Sequence, residues 1–262
     1  MNDLYRHVIF LSGGLNSFLS AWLVIKNINS DAVLVFCDTK NEDEDLYRFL
    51  NDIEILFNKK IIWLQEGRDI WQVFFDVRML GNSRIDPCSR ILKREISKKW
   101  AKNNCYFKNN EYKTELYFGI DWTETHRILK IQNNWDGFIA RFPLIENNIF
   151  NPKEEAKIIL KYYNIEIPRL YKMGFHHNNC GGFCVKSGHG DFATLLKNLP
   201  ERYAYHENKE NEFRNYIGKN VTIMRDRRGG KTKPLTMSEF RMRFCTNNNN
   251  LDLLEIGGCG CF

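Results

Sequence analysis

Two groups of residues in this chain combine types and spacings suited to chemistry. The first is Ser12-Gly13-Gly14-Leu15-Asn16-Ser17, between the apolar run His7–Leu11 and a helical pattern over Phe18–Lys26. A strand that turns through glycines into a helix makes a phosphate cradle. The backbone comes close to an anion, and the first amides of the helix lack internal acceptors and sit at its positive end. The hydroxyls of Ser12 and Ser17 add candidate donors. The second group is thiols. Of eight cysteines, Cys180 and Cys184 form a CxxxC pair, Cys259 and Cys261 sit in the glycine-rich 257–262 segment, and Cys88 stands in Asp86-Pro-Cys-Ser-Arg90. Soft thiolates in this number suit an iron–sulfur cluster or zinc, with His176 and His177 as further zinc candidates. The 257–262 segment admits two uses: Cys259 and Cys261 complete a metal site begun upstream, or they act as a nucleophilic and a resolving thiol. Cys37, alone in an apolar run, reads as a small core residue.

Two further positions depend on where strands end. Asp38 closes an apolar run, where a carboxylate receives a ribose hydroxyl or a metal. Gly119-Ile-Asp-Trp-Thr-Glu-Thr-His-Arg127 is dense in polar groups, and Arg127 offers a planar fork for phosphate or sulfate, steadied by Glu124. The plain alternative is a helix start capped by Thr123.

The elements that must position these residues follow from periodicity. His7–Leu11, Ala32–Cys37, Lys60–Leu64 and Glu115–Ile120 read as strands. Helical patterns run over Phe18–Lys26, Asp45–Phe57, Ile91–Trp100 and Lys153–Tyr163. This alternation predicts an α/β protein with a parallel, Rossmann-like sheet. Ligands of such sheets bind beyond the carboxyl ends of the strands, which places the 12–17 loop, Asp38 and Gly119 around one crevice. After Pro168 the pattern changes to Gly, Cys and His over 174–190, a helical stretch over Phe192–Tyr205 and a basic segment. The expected division is a nucleotide-binding core over 1–168 and a Cys-rich, basic C-terminal elaboration over 169–262.

The net charge is +6 and 43% of residues are apolar. Lys219–Arg243 holds eight basic residues against Asp226 and Glu239, so this stretch carries the whole excess. It reads as a nucleic-acid footprint or as a solvated basic surface. No apolar run reaches the roughly 18 residues of a membrane span, and the N-terminus lacks a signal-peptide pattern. A cytoplasmic location without membrane attachment is the expectation, and it is what favours metal or redox roles for the thiols.

The order of these segments resembles the phosphoadenosine phosphosulfate reductase family of the PP-loop (adenine nucleotide α-hydrolase-like) superfamily, particularly members carried by phages and bacteria. Ser12–Ser17 matches the PP-loop. Phe36-Cys-Asp-Thr39 is similar to the strand-two D-T element, and Asp86–Arg90 with Lys93 to the Cys-Cys-x-x-x-Lys region. Gly119–Arg127 and Phe142-Pro-Leu144 resemble the next two motifs, and Pro168–Tyr171 through Cys184 resembles the Leu-Tyr-x-x-G…C-x-x-C segment. The likeness covers most of residues 5–190. It implies binding of ATP or another adenine nucleotide through Ser12, Gly13, Gly14, Asn16, Ser17, Asp38 and Gly119, with Arg127 on a sulfate or phosphate oxygen. It also implies sulfur chemistry with a thiol or electron-donor protein as partner.

Three departures shape the expected chemistry. Asn16 stands where ATP-splitting relatives place a magnesium-binding Asp, Asp121 stands where the motif has arginine, and Cys88-Ser89 replaces a cysteine pair. An amide binds magnesium more weakly than a carboxylate, so the expectation moves from splitting ATP toward holding a nucleotide. The expected cluster, [4Fe–4S] with zinc as the alternative, takes Cys88, Cys180 and Cys184, with Cys259 or Cys261 as fourth ligand. The competing expectations are an ATP-dependent enzyme that adenylates or thiolates nucleic acid, and a nucleotide-binding protein without catalysis.

Overall fold

A computed structural model describes residues 4–107 and 113–246. Its centre is a five-stranded, wholly parallel sheet in the order β3-β2-β1-β4-β5. The strands are β1 (His7–Leu11), β2 (Val33–Asp38), β3 (Ile61–Gln65), β4 (Glu115–Tyr117) and β5 (Ile139–Arg141). The middle strands are continuous apolar runs because helices cover both faces: Val8, Ile9, Leu34 and Val35 are fully buried. On one face α1 (Leu15–Leu23) and α2 (Glu44–Phe57) pack with Ile9, Leu11 and Phe36. Beyond them come α3 (Ile70–Val77), α4 (Pro87–Ser89) and α5 (Ile96–Asn104), with a π-helical stretch, Arg90–Glu95, joining the last two. Next follow α6 (Ile128–Asn134), α7 (Pro143–Glu146), α8 (Pro152–Tyr162) and α9 (Arg169–Lys172). The α/β, Rossmann-like class expected from the alternation is the fold observed.

The chain then forms α10 (His189–Asn198), α11 (Pro200–Ile217), a hairpin of β6 (Met224–Asp226) and β7 (Lys233–Leu235), and α12 (Met237–Thr246). Where periodicity predicts one helix over Phe192–Tyr205 there are two. Pro200 has no N–H to continue the ladder and forces Leu199 out of the helical region (φ −134°, ψ 61°). This part does not pack as a separate unit. Trp71, Phe74 and Leu92 share one apolar core with Phe183, Phe192, Tyr203, Phe213 and Phe240. Buried Glu210 of α11 holds the hairpin and α12 in place, accepting from Ile223 N at 3.0 Å and Met237 N at 2.7 Å. Among the described residues no helix is long and apolar enough to cross a membrane.

His206, in the middle of this core, stacks on Phe183 with ring centroids 3.6 Å apart and accepts the Trp71 indole N–H on Nδ1 at 3.0 Å. Burial, with a smaller contribution from the Arg202 charge, pushes its pKa down to about 3. An unfolded chain takes up this proton near pH 6.5, so the unfolded state binds more protons below that value. Stability from this group is therefore complete above pH 6.5 and is lost as pH falls toward 3. Melting temperature followed from pH 7 to 4.5 is expected to fall for the native chain, and His206→Gln is expected to flatten that slope. Equal slopes would assign the acid sensitivity to other groups.

Candidate nucleotide cleft and thiol pocket

The strand order reverses at β1, since β2 and β3 extend to one side and the chain then returns to place β4 on the other. This switch point is where open parallel sheets form a crevice. An open cleft lies there. Ser12, Gly14, Asn16 and Ser17 form one wall, and Gly119, Glu124 and Arg127 another. Lys153 at the start of α8, Tyr171 of α9 and His177–Asn179 complete it.

The loop is braced from within. Ser17 Oγ donates to the Gly14 carbonyl at 2.9 Å and accepts from Ser12 N at 3.1 Å, while the Ser12 hydroxyl is 3.1 Å from Ser17 Oγ. These hydroxyls hold the turn. One amide is already engaged, because Leu15 N donates to the Tyr171 hydroxyl at 3.2 Å. Gly13 sits at φ +75° directly against Leu46, whose Cδ1 lies 2.6 Å from where a Cβ would be. A side chain there would be strained in backbone and in space.

Asn16 donates Nδ2 to Asp121 Oδ2 at 2.8 Å. Burial raises the Asp121 pKa, yet hydrogen bonds from Thr123 and Asn16 outweigh it and hold the group below the ordinary carboxylate value. As an ionised acceptor it fixes which way the amide points. Asn178 likewise donates Nδ2 to the Gly13 carbonyl at 2.8 Å. The Oδ1 atoms of both asparagines are buried with no hydrogen-bond partner among the described residues. Asp121 also caps the 3₁₀ turn Trp122–Arg127, accepting from Thr123 N at 2.9 Å, so it takes the capping role expected of Thr123.

Arg127 lines the cleft and is paired with Glu124, as expected. Burial raises the Glu124 pKa against the opposing charge of Arg127. Lys153 supplies a second cation, its Nζ 2.8 Å from the His176 carbonyl oxygen. Sequence reading misses Lys153, Asn178 and Asn179. For Lys153 a signal is present, because Asn151-Pro152 opens α8 and places the lysine in its first turn.

Asp38 ends β2, as expected, but is not among the residues lining the cleft. Its carboxylate accepts from Lys40 N at 2.8 Å, the Tyr47 hydroxyl at 2.9 Å and Gln65 Nε2 at 2.6 Å. Three internal donors occupy it. Here it organises the end of β2.

Cys88, Cys180 and Cys184 do come together, around a second, smaller pocket shared with Lys93, Lys186 and Asp86. Cys180 and Cys184 are buried against each other. Lys93 pairs with buried Glu42 at 3.6 Å, and Glu42 also accepts the Cys180 amide at 2.7 Å. Thiol donors beside two lysines match the donor chemistry of a thiolate-bound group. Among the described residues, however, no three His, Cys, Asp or Glu side chains stand together closely enough to hold an ion. Cys259 and Cys261 lie outside the described residues. His176 pairs with Asp191 at 3.2 Å and His177 lines the cleft, so neither joins the thiols. Cys37 is a core residue, its pKa raised by burial to about 11.

One segment serves both sites: His177, Asn178 and Asn179 line the cleft, and Cys180, Phe183 and Cys184 line the thiol pocket.

No family model matches the chain. An uncharacterized protein of Methanocaldococcus jannaschii is 26% identical over 219 residues, which are 81% of this chain and 42% of that protein. The chain thus spans less than half the length of this relative. Among solved structures, a phosphoadenylyl-sulfate (PAPS) reductase from Candida auris, in a phosphate complex, is similar with a TM-score of 0.45 and 14% identity, over 67% of this chain and 79% of that one.

Proposed function

We propose that this chain is an enzyme that holds an adenine nucleotide in the cleft beyond β1 and β4 and performs sulfur chemistry, reduction or sulfur transfer, at the adjoining thiol pocket. The observation that carries this reading is the 177–184 segment, whose two ends line the two sites. The first amides of α1, with Arg127 and Lys153, suit a polyphosphate. The motif order of the sequence, resembling PP-loop reductases, supports adenine as the base and an external thiol protein as electron donor. Asn16 Oδ1, buried and unpartnered among the described residues, is the oxygen that magnesium on the phosphates would take.

An iron–sulfur cluster is the cofactor that the thiol donors favour, with zinc as the alternative. Cys88, Cys180 and Cys184 would hold it, and Cys259 or Cys261 would complete the set. Bound there, it would supply electron transfer or polarise a sulfur-bearing substrate. The test is iron, acid-labile sulfide, zinc and nucleotide analysis of anaerobically purified protein. The expected result is brown protein with iron and sulfide, and loss of both in Cys180→Ser while nucleotide binding persists. Colourless protein with stoichiometric zinc would overturn the cluster and leave a structural metal site. Nucleotide bound but never converted in the presence of a thiol reductant would overturn the enzyme reading.

A further inference from the structure

A second groove lies apart from both sites. Its walls are the segment after α3, the C-terminal end of α11 and residues 219–225, with Pro234 of β7 at its edge. Arg78, Lys219 and Arg225 supply three cations to it, interleaved with Met79, Ile85 and Phe213. Among the described residues no carboxylate lines it. On the rim Arg78 lies 5.1 Å above the ring of Tyr216, and Tyr216, Met79 and Ile85 are each close to half exposed (49%, 45% and 46%).

The charge continues beyond the groove. The β6–β7 hairpin, which includes Arg225, also carries Arg227, Lys231 and Lys233, all exposed, and Arg228, which pairs with Asp226. The two acids of this stretch are committed locally. Asp226 accepts from Arg228 at 2.9 Å and Arg243 at 2.6 Å, and Glu239 accepts Thr236 N at 2.9 Å. What remains is a run of cations along an exposed ribbon that leads into a groove with apolar walls.

We propose that this groove and hairpin bind a single-stranded polynucleotide. A small anion is held by converging, buried donors, whereas exposed cations spaced along a ribbon match a repeating phosphate backbone. In the groove Met79 and Ile85 offer apolar contact, and the half-exposed Tyr216 beside Arg78 offers an aromatic ring, to bases that a single strand presents and a duplex hides. The proposal does not depend on the nucleotide cleft, so either reading can fail alone.

The test is fluorescence anisotropy of the intact chain with a labelled mixed-sequence 20-mer, in RNA and DNA forms, against its duplex. The expected result is tighter binding of a single strand, in either sugar form, than of the duplex. Affinity should fall steeply with salt, by a log–log slope of about 0.7 per phosphate neutralised. Lys219→Gln/Arg225→Gln, both exposed, should weaken binding at least tenfold and reduce the slope by about 1.4, two such contacts. A second variant, Arg227→Gln/Lys231→Gln on the hairpin, should act in the same direction. Melting temperature and nucleotide binding should be unchanged in both. Absence of binding at 50 mM salt, a duplex bound as tightly as the single strand, or affinity unchanged in both variants would overturn the proposal.

Discussion

Replacing Asp43 with alanine is expected to lower the melting temperature by about 6–12 °C, from a loss of about 3 kcal/mol in a chain of this size. Asp43 is the N-cap of α2, accepting Asp45 N at 3.0 Å, and its side chain is 1% exposed. Arg169 reaches it through two hydrogen bonds of 2.7 and 2.9 Å, and Arg202 through one of 2.9 Å. Truncation removes a cap worth about 1 kcal/mol and leaves two guanidinium groups facing a carboxylate that is gone. The estimate stays at the low end for a broken buried pair because Arg169 is 41% exposed and Glu44 still partners both arginines. The effect should also reach the thiol pocket, since the same Arg202 group donates to the Gly181 carbonyl at 2.8 Å. Asp43→Asn, which keeps a capping oxygen, should recover part of the loss. A change under about 1 kcal/mol for Asp43→Ala would show that these pairs are as weak as exposed ones.

Gly119→Ala is expected to weaken nucleotide binding at least tenfold, about 1.4 kcal/mol, and to lower the melting temperature by about 2–12 °C while the chain still folds. A Cβ at this position would stand 2.7 Å from Ser17 N and 2.8 Å from the backbone carbon and oxygen of Asn16. These are main-chain atoms that cannot swing aside, so the end of β4 and the phosphate loop must separate. The backbone at Gly119 is not in the left-handed region, so the effect comes from space alone, and overpacking of this kind costs about 1–3 kcal/mol. Titration calorimetry with ATP, alongside thermal melting, separates a displaced loop from a chain that no longer folds. Unchanged affinity would mean that the ligand does not rest on this loop.

The strands of the switch point were legible because they are unbroken apolar runs punctuated by Gly-Gly or Asp. β5 was not: it has three residues at the sheet edge, none fully buried, and leaves little pattern. α3 carries a readable signal, the capping box in which Asp69 and Gln72 each bond the other's backbone N–H. Chain order and the switch-point rule place the loop, Asp38 and Gly119 around one crevice, and of these the loop and Gly119 line it. Asp38 shows where such reasoning stops. Its strand-end position suggested a ligand, but Tyr47 and Gln65, which occupy it, come from elements whose side-chain partners no spacing discloses. Lys153 and Asn178 reach the cleft from distant segments for the same reason. Cys88 joins Cys180 and Cys184 only because the 70–92 and 170–240 segments share one core.

The central claim is that the cleft between the 12–17 loop and Arg127 holds a nucleotide by its phosphates. Calorimetric titration of the intact chain with ATP, ADP and adenosine tests it most directly, with Arg127→Ala in parallel. Binding of ATP and ADP with no measurable binding of adenosine is predicted. Arg127→Ala should lose about 10–100-fold in affinity, the value of a charge-assisted hydrogen bond. Adenosine bound as tightly as ATP, or ATP affinity indifferent to Arg127, would contradict it.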